Sequence, residues 1–293
     1  MDGAIVIDKP EGWTSHDVVN KLRRIAQTKR IGHLGTLDPI ATGVLPLVVG
    51  RATRLAQFYT RGDKTYEGSV RFGWATNTYD RAGEPCGEPR EVKLDAATLE
   101  PLLERFSGEI DQTPPPVSAK KVAGRRAYEL ARKDIAVELP PSRVHIYELT
   151  VLAIENDTIR LRVRCSGGTY VRSIAHDLGQ AVGCGAHLSE LRRIASSEFE
   201  IAHARTIAEL ETMAGEGRLD DAIVPMSNLL PAFPTIFIDD ITTTQIRHGR
   251  NFHASPFRSQ ADAKHVKAIA AQNELIAIGE AVLPNVYHPC VVL

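Results

Sequence analysis

One carboxylate, Asp38, stands in the eighteen-residue stretch KRIGHLGTLDPIATGVLP (29–46), among three glycines and two prolines. Pro39 disfavours the helical region for the residue before it, so Asp38 is presented from extended or turning backbone. Gly32, Gly35 and Gly43 permit close approach or unusual dihedrals around it. Asp before Pro is also an ordinary turn starter, and Asp38 taken alone reads as that. Its chemistry becomes specific only with a partner. A carboxylate can act as nucleophile or base without a metal. Close to the phosphates of a polyanion, however, it needs a cation beside it to stay ionised and oriented. Arg172, at the start of a helix and off its apolar stripe, is the candidate. The chain has no P-loop, no G-x-G-x-x-G after a strand, no H-E-x-x-H and no G-x-S-x-G. What remains is a loop acid, cationic segments and aromatic residues, which suits a cofactor-free enzyme acting on a polyanion.

The elements that must position these residues follow from periodicity. Thr14 or Ser15 caps a first helix with stripe Val18, Val19, Leu22, Ile25 and Ala26. The segment DKTYEGSVRFGW (63–74) alternates as a strand, with Tyr66, Gly68, Val70, Phe72 and Trp74 on one face. Residues 94–107 form an amphipathic helix ended by Gly108. DQTPPPVSAKKVAGRRAYELARKD then reads as a proline-stiffened basic arm with one short helix near 125–133. In TIRLRVRCSGGTYVRSIAHDLGQAVG (158–183), Ile159, Leu161, Val163 and Cys165 alternate with Arg160, Arg162 and Arg164. A Gly-Gly turn leads from this strand into a helix with stripe Val171, Ile174, Ala175 and Leu178, stopped at Gly183. TIAEL (206–210) carries a capping box. Beyond Pro231 and Pro234 lies a small strand-rich domain.

The net charge of −1 on 293 residues hides a segregation. Residues 21–54 carry seven bases and one acid, residues 114–145 seven bases and three acids, and residues 194–240 nine acids and two bases. Gathered on one face, the basic segments would make a footprint for a polyanion; dispersed, they are solvated helix faces. The longest apolar stretches, such as GVLPLVVG (43–50), are too short to span a bilayer, and the amino end lacks the pattern of a signal peptide. Cys86, Cys165, Cys184 and Cys290 are scattered without a C-x-x-C pair, which suits a reducing cytoplasm.

Five segments carry a resemblance: DKPEGWTSHDVVNKLRR (8–24), GHLGTLDPIATGVLP (32–46), KTYEG (64–68), SAKKVAGRRAYELAR (118–132) and GGTYVRSIAHDLG (167–179). In this order they resemble the TruB family of bacterial tRNA pseudouridine-55 synthases, relatives of the dyskerin-type enzymes. The resemblance implies an α+β pseudouridine synthase fold with a central, largely antiparallel mixed sheet flanked by helices. It implies a catalytic domain over 1–232, a basic RNA-binding thumb at 114–143 and a PUA-like β-barrel at 233–293.

The implied reaction turns uridine 55 in the tRNA T-loop into pseudouridine, with no metal or nucleotide cofactor, no membrane and a monomeric enzyme. Asp38 becomes the catalytic aspartate, Tyr66 the residue stacked on the base, and Arg172 the partner of Asp38. His33 holds the loop opened by base flipping, Leu191 forms an apolar pocket wall, and Lys9 with Pro10 supports the catalytic loop. Gly35, Thr36 and Tyr170 join the substrate site. Lys120, Lys121, Arg125, Arg126, Arg132 and Arg143 are the implied RNA-binding residues.

Extruding the uridine costs a few kcal/mol, on the order of what stacking on Tyr66 returns at about 1–3 kcal/mol. The chain departs from the family pattern at Lys120, where an apolar residue is usual, at Gly167, where lysine is common, and in its short tail. Two other readings compete. A non-catalytic RNA-binding protein has no need of Asp38, Tyr66 and Arg172 together, and a typical glycosidase needs two carboxylates flanking the bond. Whether Asp38 attacks the sugar, attacks the ring or removes a sugar proton is left open by the residues.

Overall fold

The computed structural model describes residues 1–118, 121–122, 125–126, 139–254 and 263–293. Its main sheet is built from β1 (Gly3–Lys9), β2 (Ala41–Val49), β3 (Lys64–Phe72), β4 (Gly108–Gln112), β5 (Ser142–Glu155), β6 (Thr158–Cys165), β7 (Ala186–Ser196) and β8 (Val224–Pro225). The order across the sheet is β8-β1-β2-β7-β3-β6-β5-β4. Neighbours are antiparallel except β2 and β7, which run parallel with Leu191 opposite Ala41 and Arg193 opposite Gly43. This is the mixed, largely antiparallel sheet that the resemblance implies.

Alternation explains why one face of the sheet is buried. Ile159, Leu161, Val163 and Cys165 of β6 and Val70 and Phe72 of β3 are at most 1% exposed. They pack in one cluster with Val171, Ile174, Ala175 and Leu178 of the helix α3 (Val171–Val182). The expected stripe is thus the buried one, and the helix stops where Gly183 takes φ 85°, a left-handed cap suited to glycine. Gly179 brings α3 against β7; a Cβ there would lie 2.1 Å from the Ala186 nitrogen. α1 (Ser15–Ile25) is capped by Thr14 in a capping box with Asp17 and buries Val18, Val19 and Leu22. α2 (Ala96–Glu104) is shorter than the expected 94–107, because the Asp95 side chain caps it and Gly108 already opens β4.

In the arm, Lys121–Val122 pairs with Arg125–Arg126 as a hairpin. The helix expected near 125–133 therefore does not begin at Arg125, and its remaining residues lie outside the described ones. The strand-rich tail is a second, five-stranded sheet of Thr235–Phe237, His265–Ile269, Leu275–Leu283, Val286–Val292 and Phe252–His253. It is not packed alone: Ile269, Leu275, Ile278 and Val291 share a hydrophobic cluster with Val6, Val44, Val48 and Leu55 of the body. Among the described residues no helix is long and apolar enough to cross a membrane.

Candidate active site

A cleft of about 550 Å³ opens over β3 and β7, beside the start of α3. Asp38 reaches it from the loop between Ile31–His33 and β2. The backbone around this acid is held from both sides. The Ser15 hydroxyl accepts from the Leu37 N–H at 2.8 Å and donates to the Leu37 carbonyl at 3.2 Å. The Gly12 N–H donates to the Pro39 carbonyl at 2.8 Å, and Lys9 Nζ lies 3.5 Å from the same oxygen. Arg193 Nη2 donates to the Gly35 carbonyl at 3.0 Å and Nη1 to that of Thr36 at 3.4 Å. A carboxylate on so braced a loop keeps one geometry although the segment is rich in glycine.

Arg172 meets that carboxylate with its fork. Nη2 donates to Asp38 Oδ1 at 3.1 Å, and Nε lies 2.9 Å from Oδ2. The arginine side chain is 5% exposed and that of Asp38 35%, so the acid keeps its access to the cleft. The rest of the guanidinium is fixed as well, by the carbonyls of Thr78 and Val117, each at 3.0 Å. A second acid, Asp80, stands 3.6 Å from Nη1 and is buried behind the arginine, away from the cleft lining. Tyr79, between Thr78 and Asp80, adopts φ 65° and stacks its ring on His176 at 3.7 Å. His176 sits one turn after Arg172, so α3 grips this loop through two side chains. The helix start is itself clamped: Gln112 accepts from the Tyr170 N–H at 2.8 Å and donates to the Tyr170 carbonyl at 3.0 Å.

Tyr66 stands on the same side of the sheet, opposite Val163 of β6 and Arg193 of β7. Burial pushes its phenol upward in pKa, while the neighbouring Arg193 pulls it down. Leu191, Gly35, Thr36, Tyr170 and Arg143 also line the cleft. Arg143 is largely exposed at the rim, near Glu109 and Asp111. Lys9 and His33 are elsewhere. Lys9 is fully buried beneath the loop, donating to the carbonyls of Pro10 and Trp13, and burial lowers it to about 8. His33 Nδ1 accepts from the Gly35 N–H at 3.3 Å and does not line the cleft. Lys120 and Arg132 lie outside the described residues, and for Lys121, Arg125 and Arg126 only the hairpin backbone is described. Arg160, Arg162 and Arg164 project from the opposite face of β6 and do not line the cleft; Arg162 pairs with Glu67. Among the described residues no three His, Cys, Asp or Glu side chains are placed to hold a metal.

Three buried charged residues at or behind the cleft are not singled out by the sequence. Asp80 sits in an irregular turn where no periodicity marks it. Lys64 and Arg193 are basic residues of strands that turn inward, to 8% and 1% exposure, and Lys64, two positions before Tyr66, falls on the Tyr66 face by alternation. The doublet Arg192–Arg193 held a usable signal, because alternation must send one of two adjacent strand residues toward the interior.

The site is thus a loop aspartate forked by a buried arginine, beside a buried tyrosine on a mixed sheet. The fold is similar to a chain of an H/ACA ribonucleoprotein bound to a substrate RNA containing 2′-deoxyuridine, with TM-score 0.75 and 26% identity over 99% of this chain and 85% of that one. It is also similar to a chain of an archaeal box H/ACA complex, with TM-score 0.71 and 27% identity over 96% and 79%. Residues 23–171 match the N-terminal domain of TruB family pseudouridylate synthases, and residues 172–231 the C-terminal domain of tRNA pseudouridylate synthase B. The tRNA pseudouridine synthase B of Solibacter usitatus is 69% identical over the full length of both chains. That of Geobacillus thermodenitrificans is 40% identical over 95% of this chain and 94% of its own. The chain belongs to the TruB family of pseudouridylate synthases.

Proposed function

We propose that this protein isomerises uridine 55 in the T-loop of tRNA to pseudouridine, with Asp38 as the catalytic aspartate. The observation that carries the assignment is the two-point contact of Asp38 with Arg172 at the wall of a cleft that also holds Tyr66. In the reaction the N1–C1′ bond breaks, a C5–C1′ bond forms, C5 loses a proton and N1 gains one. Atoms and charge balance without water, oxidant or group donor. The target base is stacked inside a folded loop and must first swing out, at a cost of a few kcal/mol. Tyr66 offers a ring on which it stacks, and Leu191 an apolar wall. Arg172 keeps Asp38 aimed, and the buried Asp80 behind it fixes the guanidinium.

The enzyme works as a cytoplasmic monomer without metal or nucleotide, on a catalytic domain of 1–232 with a thumb at 114–143 and a PUA-like domain from 233. Arg143 on the cleft rim and the basic arm beside it grip the backbone of the T-arm. Asp80 does not supply a glycosidase's second carboxylate, because Arg172 stands between it and the cleft. Chemical mapping of T-arm RNA treated with purified protein in a chelating buffer tests the proposal. Pseudouridine at position 55 alone is expected; free uracil, or no change, contradicts it.

A further inference from the structure

The cleft lining carries two buried cations that the ion pair does not use. Lys64 begins β3 and Arg193 lies in β7 across from Tyr66. Both line the cleft. Their hydrogen bonds go to neutral oxygens: Lys64 Nζ to the Gly62 carbonyl at 2.5 Å, and Arg193 to the carbonyls of Gly35, Thr36 and Val44. Among the described residues neither cation has a carboxylate within 4.0 Å, and Asp38 is occupied by Arg172. The two are close enough to oppose each other. A Cβ at position 35 would lie 3.6 Å from Arg193 Nη1 and 3.8 Å from Lys64 Cε, and Arg193 adds to burial in holding the Lys64 ammonium below its usual range. Two like charges sharing a dry site without an acid are costly, unless that site exists to receive negative charge.

The isomerisation generates such a charge. Breaking N1–C1′ heterolytically sends the bonding pair to the ring as a uracil anion, spread over N1, O2 and O4; attack on C6 instead would place it mainly on O4. Either way, the charge forms on a ring that, stacked on Tyr66, lies in the cleft that Lys64 and Arg193 also line. We propose that Lys64 and Arg193 are further catalytic residues, forming a cationic hole for the uracil ring while it is negatively charged. This rests on the function proposed above. When C1′ rejoins at C5, the C5 proton leaves and N1 takes one up, and the charge is gone.

The test compares T-arm RNAs with uridine or 5-fluorouridine at the target, in single turnover with enzyme in excess, following consumption of the target nucleoside. Fluorine withdraws electrons and stabilises the ring anion by itself, so it reduces the need for the hole. Lys64→Met is expected to slow uridine consumption about 10²-fold, the loss typical of removing one donor to a developing oxyanion. The deficit narrows with 5-fluorouridine, RNA affinity is retained, and Arg193→Lys, which keeps the charge, loses less. Lys64→Gln takes the place of Lys64→Met should the latter not fold. Equal deficits on both RNAs, or an unchanged rate, overturn the proposal. So does a defect expressed as weaker, less salt-dependent binding, which would assign the cations to a backbone phosphate. Absence of pseudouridine with the unsubstituted enzyme would instead refute the parent function.

Discussion

Arg172 and Arg193 line one cleft, are both almost fully buried, and are held in opposite ways. Arg172 lies between two carboxylates, Asp38 at 2.9 Å and Asp80 at 3.6 Å, with backbone carbonyls filling its remaining donors. Among the described residues, Arg193 has only backbone carbonyls and the neighbouring Tyr66. An arginine cannot shed its proton to escape burial, so its surroundings must accommodate the charge. At Arg172 the partners are carboxyl groups and the fork's geometry is the product: an aimed aspartate. At Arg193 the charge stays uncompensated, and the side chain both ties down the loop of Gly35 and Thr36 and leaves the cleft floor positive. Asp177, on the same helix as Arg172, shows the third outcome. With no ion-pair partner among the described residues, its half-buried carboxyl is pushed up to about 6 by burial.

The contrast can be broken experimentally, beginning with the larger effect. Arg172→Ala leaves Asp80 buried without its cation and Asp38 unaimed. A loss of about 3–5 kcal/mol in denaturant unfolding is expected, together with loss of measurable turnover. Arg172→Lys keeps a charge but not the fork, so it should recover more stability than activity. Arg193→Met should cost less, about 1–3 kcal/mol, since it strands carbonyls rather than a carboxylate. If Arg193→Met proves the more destabilising of the two, the division between a balanced and an unbalanced arginine is wrong.

Asp177→Asn is the smallest perturbation and has a sign. The folded carboxyl holds its proton up to about 6, whereas the unfolded one releases it near 3.8, so raising the pH through that interval costs the native protein stability. The substitution should therefore stabilise the protein by about 1 kcal/mol at pH 8, allowing for solvent screening of a half-exposed group, and by nothing at pH 4. Thermal unfolding of both proteins across that range measures it.

How far the site could be read from sequence follows the same physics. The place of Arg172 off the apolar stripe of a well-marked helix and that of Asp38 on extended backbone before a proline are legible from the residues, whereas their pairing is legible only through the resemblance. The strand of Ile159, Leu161, Val163 and Cys165 and the helix behind it also announced themselves by period. Lys64, Asp80 and Arg193 did not. Basic residues of strands read as solvent-facing, although alternation puts Lys64 on the face of Tyr66; for Arg193 the inward face is fixed by pairing opposite Tyr66, with a register shift between Arg193 and Ala195. Asp80 depends on a left-handed residue in an irregular loop, which no pattern marks. The arginines of β6 emerge on the face of the sheet away from the cleft, as alternation with its apolar residues requires.

The most direct measurement follows position 55 of a T-arm RNA over time with the unsubstituted enzyme and with Asp38→Asn, alongside equilibrium binding of the same RNA. Asp38→Asn should bind as tightly and make no pseudouridine. Pseudouridine formed by Asp38→Asn at the unsubstituted rate would contradict the central claim that this carboxylate, aimed by Arg172, performs the rearrangement.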